Sequence, residues 1–307
     1  MSTSSPTDIR RPDPATLVIA PPGTVRGGRI RTIRAIVRSS RSIQVGLLIV
    51  VALFALGLLA PVLTPYSPTQ IDLANTLEPP STAHLLGTDE LGRDQFTRLL
   101  YGARVSMVMG FVGVVLAATV GAALGLMAGY FVGLFDSVLM RLMDAILAFP
   151  ALLLALLVVS VVGPGIVQVL VAFGIAGIPF YARLMRSMVL SIREREFVAA
   201  AEALGASPFR IIFLHILPNA MAPLIITTTL AMGLVIVGLA SLGFIGLGAQ
   251  PPTPEWGAML AGNQSRFFTA PWLLVSPGVA ILLAVVGYSL VGDGLRDALD
   301  PRLRHLR

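Results

Sequence analysis

The chain has 307 residues, 55% of them apolar and only 12% charged, and its mean hydropathy of +0.85 belongs to membrane proteins and not to water-soluble globular domains. All 22 basic residues are arginine, and the sequence contains neither lysine nor cysteine. The first absence excludes a P-loop, whose Gly-rich loop ends in Lys-Ser/Thr, and Schiff-base chemistry; the second excludes disulfides, thiolate metal sites and cysteine nucleophiles.

Residues 1–42 form a basic tail. Positions 1–29 are rich in Ser, Thr, Pro and Arg without apolar periodicity, the composition of a disordered segment. From 30 to 42 one helical face carries Ile30, Ile33 and Val37 and another carries Arg31, Arg34, Arg38 and Arg41. That pattern fits a helix lying on an anionic leaflet, and equally a block of stop-transfer charge. No small-x-small cleavage site is evident around the apolar run that follows, so the first span is expected to be a retained anchor.

Uncharged runs at 43–63, 105–135, 145–182, 216–254 and 267–292 all reach the ~20 residues needed to cross a bilayer. The third contains Gly163-Pro164-Gly165, a turn signal that divides it in two. An all-α protein with six transmembrane helices is therefore expected. With the N terminus inside, only Arg93, Arg98, Arg104 and Arg266 fall outside, and the positive-inside rule places both termini and the basic stretch 183–210 in the cytoplasm. The expected divisions are the tail, a first helix at 43–63, an extracytoplasmic segment at 64–104, a five-helix core at 105–293 with a cytoplasmic loop at 191–217, and a tail at 294–307.

The second span carries Gly113, Ala117, Gly121, Gly125, Gly129 and Gly133, a small residue at every fourth position. In lipid such a stripe marks a close helix contact, with a neighbour in this chain or in another. Pro150, Pro179, Pro218, Pro223 and Pro277 lie in or beside spans and predict kinks. Polar residues within spans are few: Gln168, Asn219, Thr227, Thr228, Thr229 and Ser289. Arg141 and Asp144, at i,i+3, predict a local ion pair. A proton-coupled carrier or channel needs ionisable groups at bilayer depth, and an intramembrane serine protease needs a basic partner there; neither requirement is met. His84, His215 and His305 fall in separate segments without metal-ligand spacing.

In the cytoplasmic loop, "EFVAAAEALGASPFRIIFLHILPN" spans 196–219. Phe197, Ala200, Ala201 and Leu204 recur at helical spacing, Gly205 ends that helix, and Ser207-Pro208 starts another with a favoured N-cap and N1 pair. Phe209, Ile212, Phe213 and Ile216 give the second helix an apolar face, and Pro218 is expected to redirect the chain into the membrane. The shallow Ala/Gly face suits a protein groove better than a lipid surface, which takes bulkier side chains. The charged residues around it are Arg193, Glu194, Arg195, Glu196, Glu202 and Arg210.

An Ala-Ala pair, Gly205 and Leu217-Pro218 on a loop before the penultimate span resemble the EAA loop of the permeases of ABC importers. The family's glutamate and isoleucine correspond to Ala199 and His215, with Glu196 and Glu202 the nearest acids. "LLGTDELGRDQFTRLLYGAR" (85–104), "LGFIGLGAQPPTPEWGAML" (242–260) and "GDGLRDALDPRLR" (292–304) extend the resemblance, from about residue 40 onward, to the dipeptide/oligopeptide/nickel group, and within it to the C-type subunit. The resemblance implies the type I importer permease fold in a bacterial cytoplasmic membrane. It also implies a B-type permease partner, two ATPases, an extracytoplasmic binding protein, and peptide, nickel or glutathione as cargo. Nucleic acid has no place in such a system. ATP and Mg would sit on the ATPases, this chain binding no cofactor and catalysing nothing. By the same resemblance Glu196, Phe197, Ala200, Ala201, Glu202, Leu204, Gly205, Ser207 and Pro208 form the helix that couples to an ATPase. Asp89, Arg93 and Asp94 read either as a solvated helix with i,i+4 pairs or as a contact for the binding protein. By the same resemblance Gln250 and Trp256 form part of an outer gate, and Trp256 also fits an interfacial anchor. The Asn263-Gln264-Ser265 sequon is discounted because the resemblance is bacterial.

Overall fold

The computed structural model describes residues 40–299; the sequence readings for 1–39 and 300–307 lie outside the described residues. Nine helices carry the fold, and no named strand occurs among the described residues. They are α1 Arg41–Leu63, α2 Gln95–Tyr130, α3 Leu134–Leu147, α4 Ala151–Val162, α5 Ile166–Arg193, α6 Glu196–Ala203, α7 Pro208–Phe244, α8 Trp256–Leu260 and α9 Trp272–Leu299. Of these, α1, α2, α5, α7 and α9 are long and apolar enough to cross a membrane.

The third expected span is instead a broken pair, in which α3 and α4 meet at 87°. Pro150 is the cause: it stands as N-cap of α4, and a proline biases the residue before it away from helical backbone. The turn expected at 163–165 separates α4 from α5. Both its glycines have positive φ, 99° and 153°, the region that favours glycine.

The most extensive contact joins α2 to α5. Glycines on the stripe bring them together: a Cβ on Gly121, Gly125 or Gly129 would lie 2.5 Å from Ile178 O, 2.2 Å from Ala182 O or 2.7 Å from Val189 Cβ. The neighbour is thus in this chain. Gly113 and Gly133 do not share the role. Gly113 has nothing nearer than Val235 Cγ1 at 3.9 Å, and Gly133, at φ 138°, is the N-cap of α3 with open space around it. α9 packs on α1 and α7, and α7 packs on α2 and α5. One end of the bundle holds the α5–α6–α7 loop and the start of α1; the other holds segment 64–94 and α8.

Pro218 does not redirect the chain. α7 runs from Pro208 to Phe244 as one long helix, with a π-helical turn over Ile211–Ile216. Proline supplies no N–H to the turn before it, and the ladder widens there, Leu217 N–H bonding Ile212 O five residues back. Asn219 Nδ2 donates to His215 O at 2.6 Å, satisfying a carbonyl in the same turn.

Candidate functional site

The loop end is built on α6, which begins two residues after α5 ends. Arg195 N–H donates to Ile192 O at 3.1 Å and Val198 N–H to Arg195 O at 2.9 Å, so the helices join through a tight hydrogen-bonded turn. Val198 is fully buried, in one cluster with Ile192, Ile211, Ile212 and Ile216. Ala201 and Ala206 pack against the same cluster. Of the face read from the sequence as suited to a partner's groove, Phe197, Ala200 and Leu204 are exposed, Leu204 at 88%, while Ala201 turns inward and Val198 supplies the anchor.

Gly205 has φ +75° with nothing near its Cβ position, so its role is conformational: it closes α6 with a bond from its N–H to Glu202 O at 2.9 Å. Ser207 then caps α7, its Oγ accepting from Arg210 N–H at 3.4 Å, and Pro208 takes the first turn. Phe209 and Phe213 stack with centroids 6.5 Å apart and planes 2° apart, both exposed, with Leu214 beside them. Only Ile212 and Ile216 of the second expected face are buried, while Phe209 and Phe213 are exposed. Glu196, Glu202 and Arg210 are exposed around this apolar surface. The arrangement is an exposed apolar knob, rimmed with charge and fixed to the bundle through Val198.

Beside the loop, three arginines of α5 bind the segment that leads from α2 through α3. Arg193 Nη1 donates to Tyr130 O at 3.1 Å, with its guanidinium 5.5 Å from that ring's centroid. Arg186 binds Asp136 through two bonds, each 2.5 Å. Arg183 pairs with Asp144, Nε donating at 3.1 Å. The ion pair expected between Arg141 and Asp144 is therefore replaced by one across helices. The crossing of α5 over α3 brings Arg183 to Asp144.

At the opposite end, residues 89–94 form turns and not a helix. Asp89 is buried; its Oδ1 accepts from Leu91 and Arg93 N–H at 2.9 and 3.0 Å, and its Oδ2 from Arg93 Nε at 2.7 Å. Arg98 Nε lies 3.4 Å from the same oxygen. Asp94 is also buried; it caps α2 by accepting from Thr97 N–H at 2.7 Å and holds His84 Nδ1 at 2.9 Å. Asp89 and Asp94 are occupied within the chain, which removes the solvated-helix reading and leaves neither carboxylate free for an outside contact. Trp256 is 1% exposed, its Nε1 donating to Leu99 O at 3.1 Å; it is a core residue and not an interfacial anchor. Gln250 is exposed, with Nε2 bonded to Gly246 O and Gly248 O. Asp89, Arg93 and Gln250 line one cavity of about 340 Å³.

The residue the sequence reading passed over here is Glu255. It is buried and caps α8, its Oε1 accepting from Gly257 N–H at 2.8 Å and from Ser106 Oγ at 3.1 Å, and its Oε2 from Ala258 N–H at 2.8 Å. Burial pushes its carboxyl above the usual range against the pull of these bonds. An acid directly before Trp256-Gly257 was an available signal for an N-cap.

Among the described residues no group of three or more His, Cys, Asp or Glu is placed to hold a metal.

Residues 121–305 match the family described as binding-protein-dependent transport system inner membrane component, and residues 31–80 match the N-terminal transmembrane domain of oligopeptide transport permease C. The chain is 46% identical over 260 residues to a dipeptide transport system permease protein of Alkalihalophilus pseudofirmus, covering 85% of this chain and 86% of the relative. It is 44% identical over 266 residues to a di/tripeptide transport system permease protein of Pseudomonas aeruginosa (85% and 88%), and 40% identical over 272 residues to a glutathione transport system permease protein of Pectobacterium atrosepticum (88% and 90%). With a match over more than half its length, relatives above 40% identity and a bundle of membrane-crossing helices, the chain belongs to the binding-protein-dependent transport system inner membrane components, the membrane permease subunits of ABC importers.

Proposed function

We propose that this permease imports dipeptides and short oligopeptides as one half of a heterodimer. The second half is a B-type permease, two cytoplasmic ATPases supply ATP and Mg, and a binding protein delivers cargo from outside. The observation that carries this reading is α6: a short helix held by buried Val198, with Phe197, Ala200 and Leu204 outward inside a charged rim. An apolar patch of this kind, surrounded by polar residues, suits a protein partner, and its position between the fourth and fifth full-length or paired spans suits an ATPase subunit. The chain itself binds no cofactor and hydrolyses nothing, having no lysine with which to build a P-loop. The termini and α6 lie in the cytoplasm, as the distribution of arginine supports. The peptide cargo is supported by the dipeptide and di/tripeptide relatives; the glutathione relative, only slightly less similar, favours a second reading in which a modified tripeptide is carried.

The test is uptake into vesicles containing this chain alone, then with the second permease, the ATPases and the binding protein added in turn. ATP-dependent uptake of labelled dipeptide is expected only with the full set. Saturable uptake by the isolated chain, driven by a proton or sodium gradient and indifferent to ATP, would overturn the proposal, and selective uptake of glutathione would replace the cargo.

A further inference from the structure

Arg183, Arg186 and Arg193 fall on one face of α5, because seven residues separate the last two and three separate the first two. Their partners run the opposite way along the chain: Arg193 to Tyr130, Arg186 to Asp136, Arg183 to Asp144. The three pairings form an antiparallel ladder that fastens the end of α2 and both ends of α3 to α5. We propose that this ladder positions α3 for transport, transmitting movement of α6 through α5 to the bend between α3 and α4.

The middle rung carries the argument. Asp136 is 4% exposed, is held by both oxygens, and faces Arg186, whose side chain is 33% exposed. A buried carboxylate with a two-point guanidinium partner has one geometry, and losing either partner leaves a charge without compensation. The outer rung is different. Arg183 and Asp144 are each about half exposed, so that pair steadies α3 without fixing it. Apart from Asp136 and Met143, α3 buries no side chain, so packing alone does not hold it. α3 is bound to α5 by charge and ends at the 87° bend, where α4 packs again on α5. A displacement of α6, which joins α5 two residues past Arg193, therefore moves Arg186 and α3 together, and the bend at Phe149-Pro150 is the place that takes up the change.

The inference rests on α6 being the ATPase-coupling helix, and the test separates the two. In the complete reconstituted complex, uptake of labelled dipeptide per ATP hydrolysed is measured for Asp136→Arg, for Arg186→Asp and for the double reversal. Each single variant is expected to lower the ratio by about fivefold or more, the low end of coupling between sites, and the double reversal to recover most of it. A lowered complex yield with an unchanged ratio would show a merely structural pair and overturn the proposal. Because the chain has no cysteine, Asp136→Cys/Arg186→Cys joined by a short bifunctional thiol reagent gives a second measure. The unbridged variant, which lacks the pair, is expected to show the lowered ratio, and bridging to recover most of it, since these positions move as one body; a ratio that falls further on bridging would overturn it. Gly205→Leu is measured alongside. A wild-type ratio there would remove the coupling-helix reading, whereas a wild-type ratio in the Asp136 and Arg186 variants alone would remove only the ladder.

Discussion

Gly113 and Gly125 lie on one stripe of α2 but meet different surroundings. A methyl at Gly125 would reach 2.2 Å from Ala182 O, which is backbone and cannot yield, while at Gly113 the nearest atom is 3.9 Å away. Overpacking costs about 1–3 kcal/mol, and replacing a helical glycine by alanine returns at most about 1 kcal/mol. Gly125→Ala should therefore lower the thermal midpoint in detergent, and Gly113→Ala should leave it unchanged or raise it; equal effects would mean that the α2–α5 approach is not set by Gly125. Glu255 makes a prediction about pH. Its folded carboxyl is raised by burial, so the folded chain binds the proton more tightly than the unfolded one, and this residue's contribution falls as pH rises from the ordinary carboxylate value through the folded one. Glu255→Gln should remove that slope. Its cost relative to the native chain, which arises because an amide nitrogen cannot accept from Ala258 N–H, should therefore shrink as pH rises. Hydrogen exchange at Gly257 and Ala258 between pH 4 and 7 checks both statements, and a slope that survives in Glu255→Gln would assign it to another group.

Among the elements, α6 shows most directly how local chemistry sets a functional geometry. Gly205 holds φ +75° in open space, so the difficulty of replacing it is backbone strain and not collision. Gly205→Asn should keep transport near the wild-type level because asparagine tolerates this region, whereas Gly205→Leu should lower uptake per ATP while the complex still assembles. If Asn and Leu behave alike, the direction of α6 does not depend on this conformation. The end of α6 was legible from Gly205, as was the turn at Gly163-Pro164-Gly165, because glycine and proline act locally. What was not legible depended on distant partners. Val198 is the inward anchor of α6 because Ile211, Ile212 and Ile216 lie on that side. Trp256 is covered because α2 passes over it, and Asp144 finds Arg183 because α5 crosses α3. At Pro218 the obstacle is local: a helix can widen by one residue around a proline, as it does at Ile211–Ile216, and composition does not distinguish widening from a break.

At the scale of the whole molecule, apolar side chains remain exposed on most of the surface, as expected where lipid is the neighbour. The exceptions that matter are those beyond the ends of the spans. Leu204, the C-cap of α6, is 88% exposed within reach of Glu202 and Arg210 in sequence, and an isolated leucine in such a rim gains by burial about 25 cal/mol per Å² of apolar surface removed from water. Val198, six residues earlier, is already buried, so the two positions report separately on the chain's own packing and on its assembly. Since there is no native cysteine, single substitutions Leu204→Cys and Val198→Cys can be read with a maleimide without background. The isolated permease should label fast at position 204 and hardly at 198. Addition of the ATPase subunits should protect position 204, and addition of the binding protein alone should not. Protection by the binding protein, or labelling at 204 that ignores the ATPases, would place α6 on the other side of the membrane or away from the coupling interface, and the fold would then need a different site through which ATP hydrolysis reaches the spans.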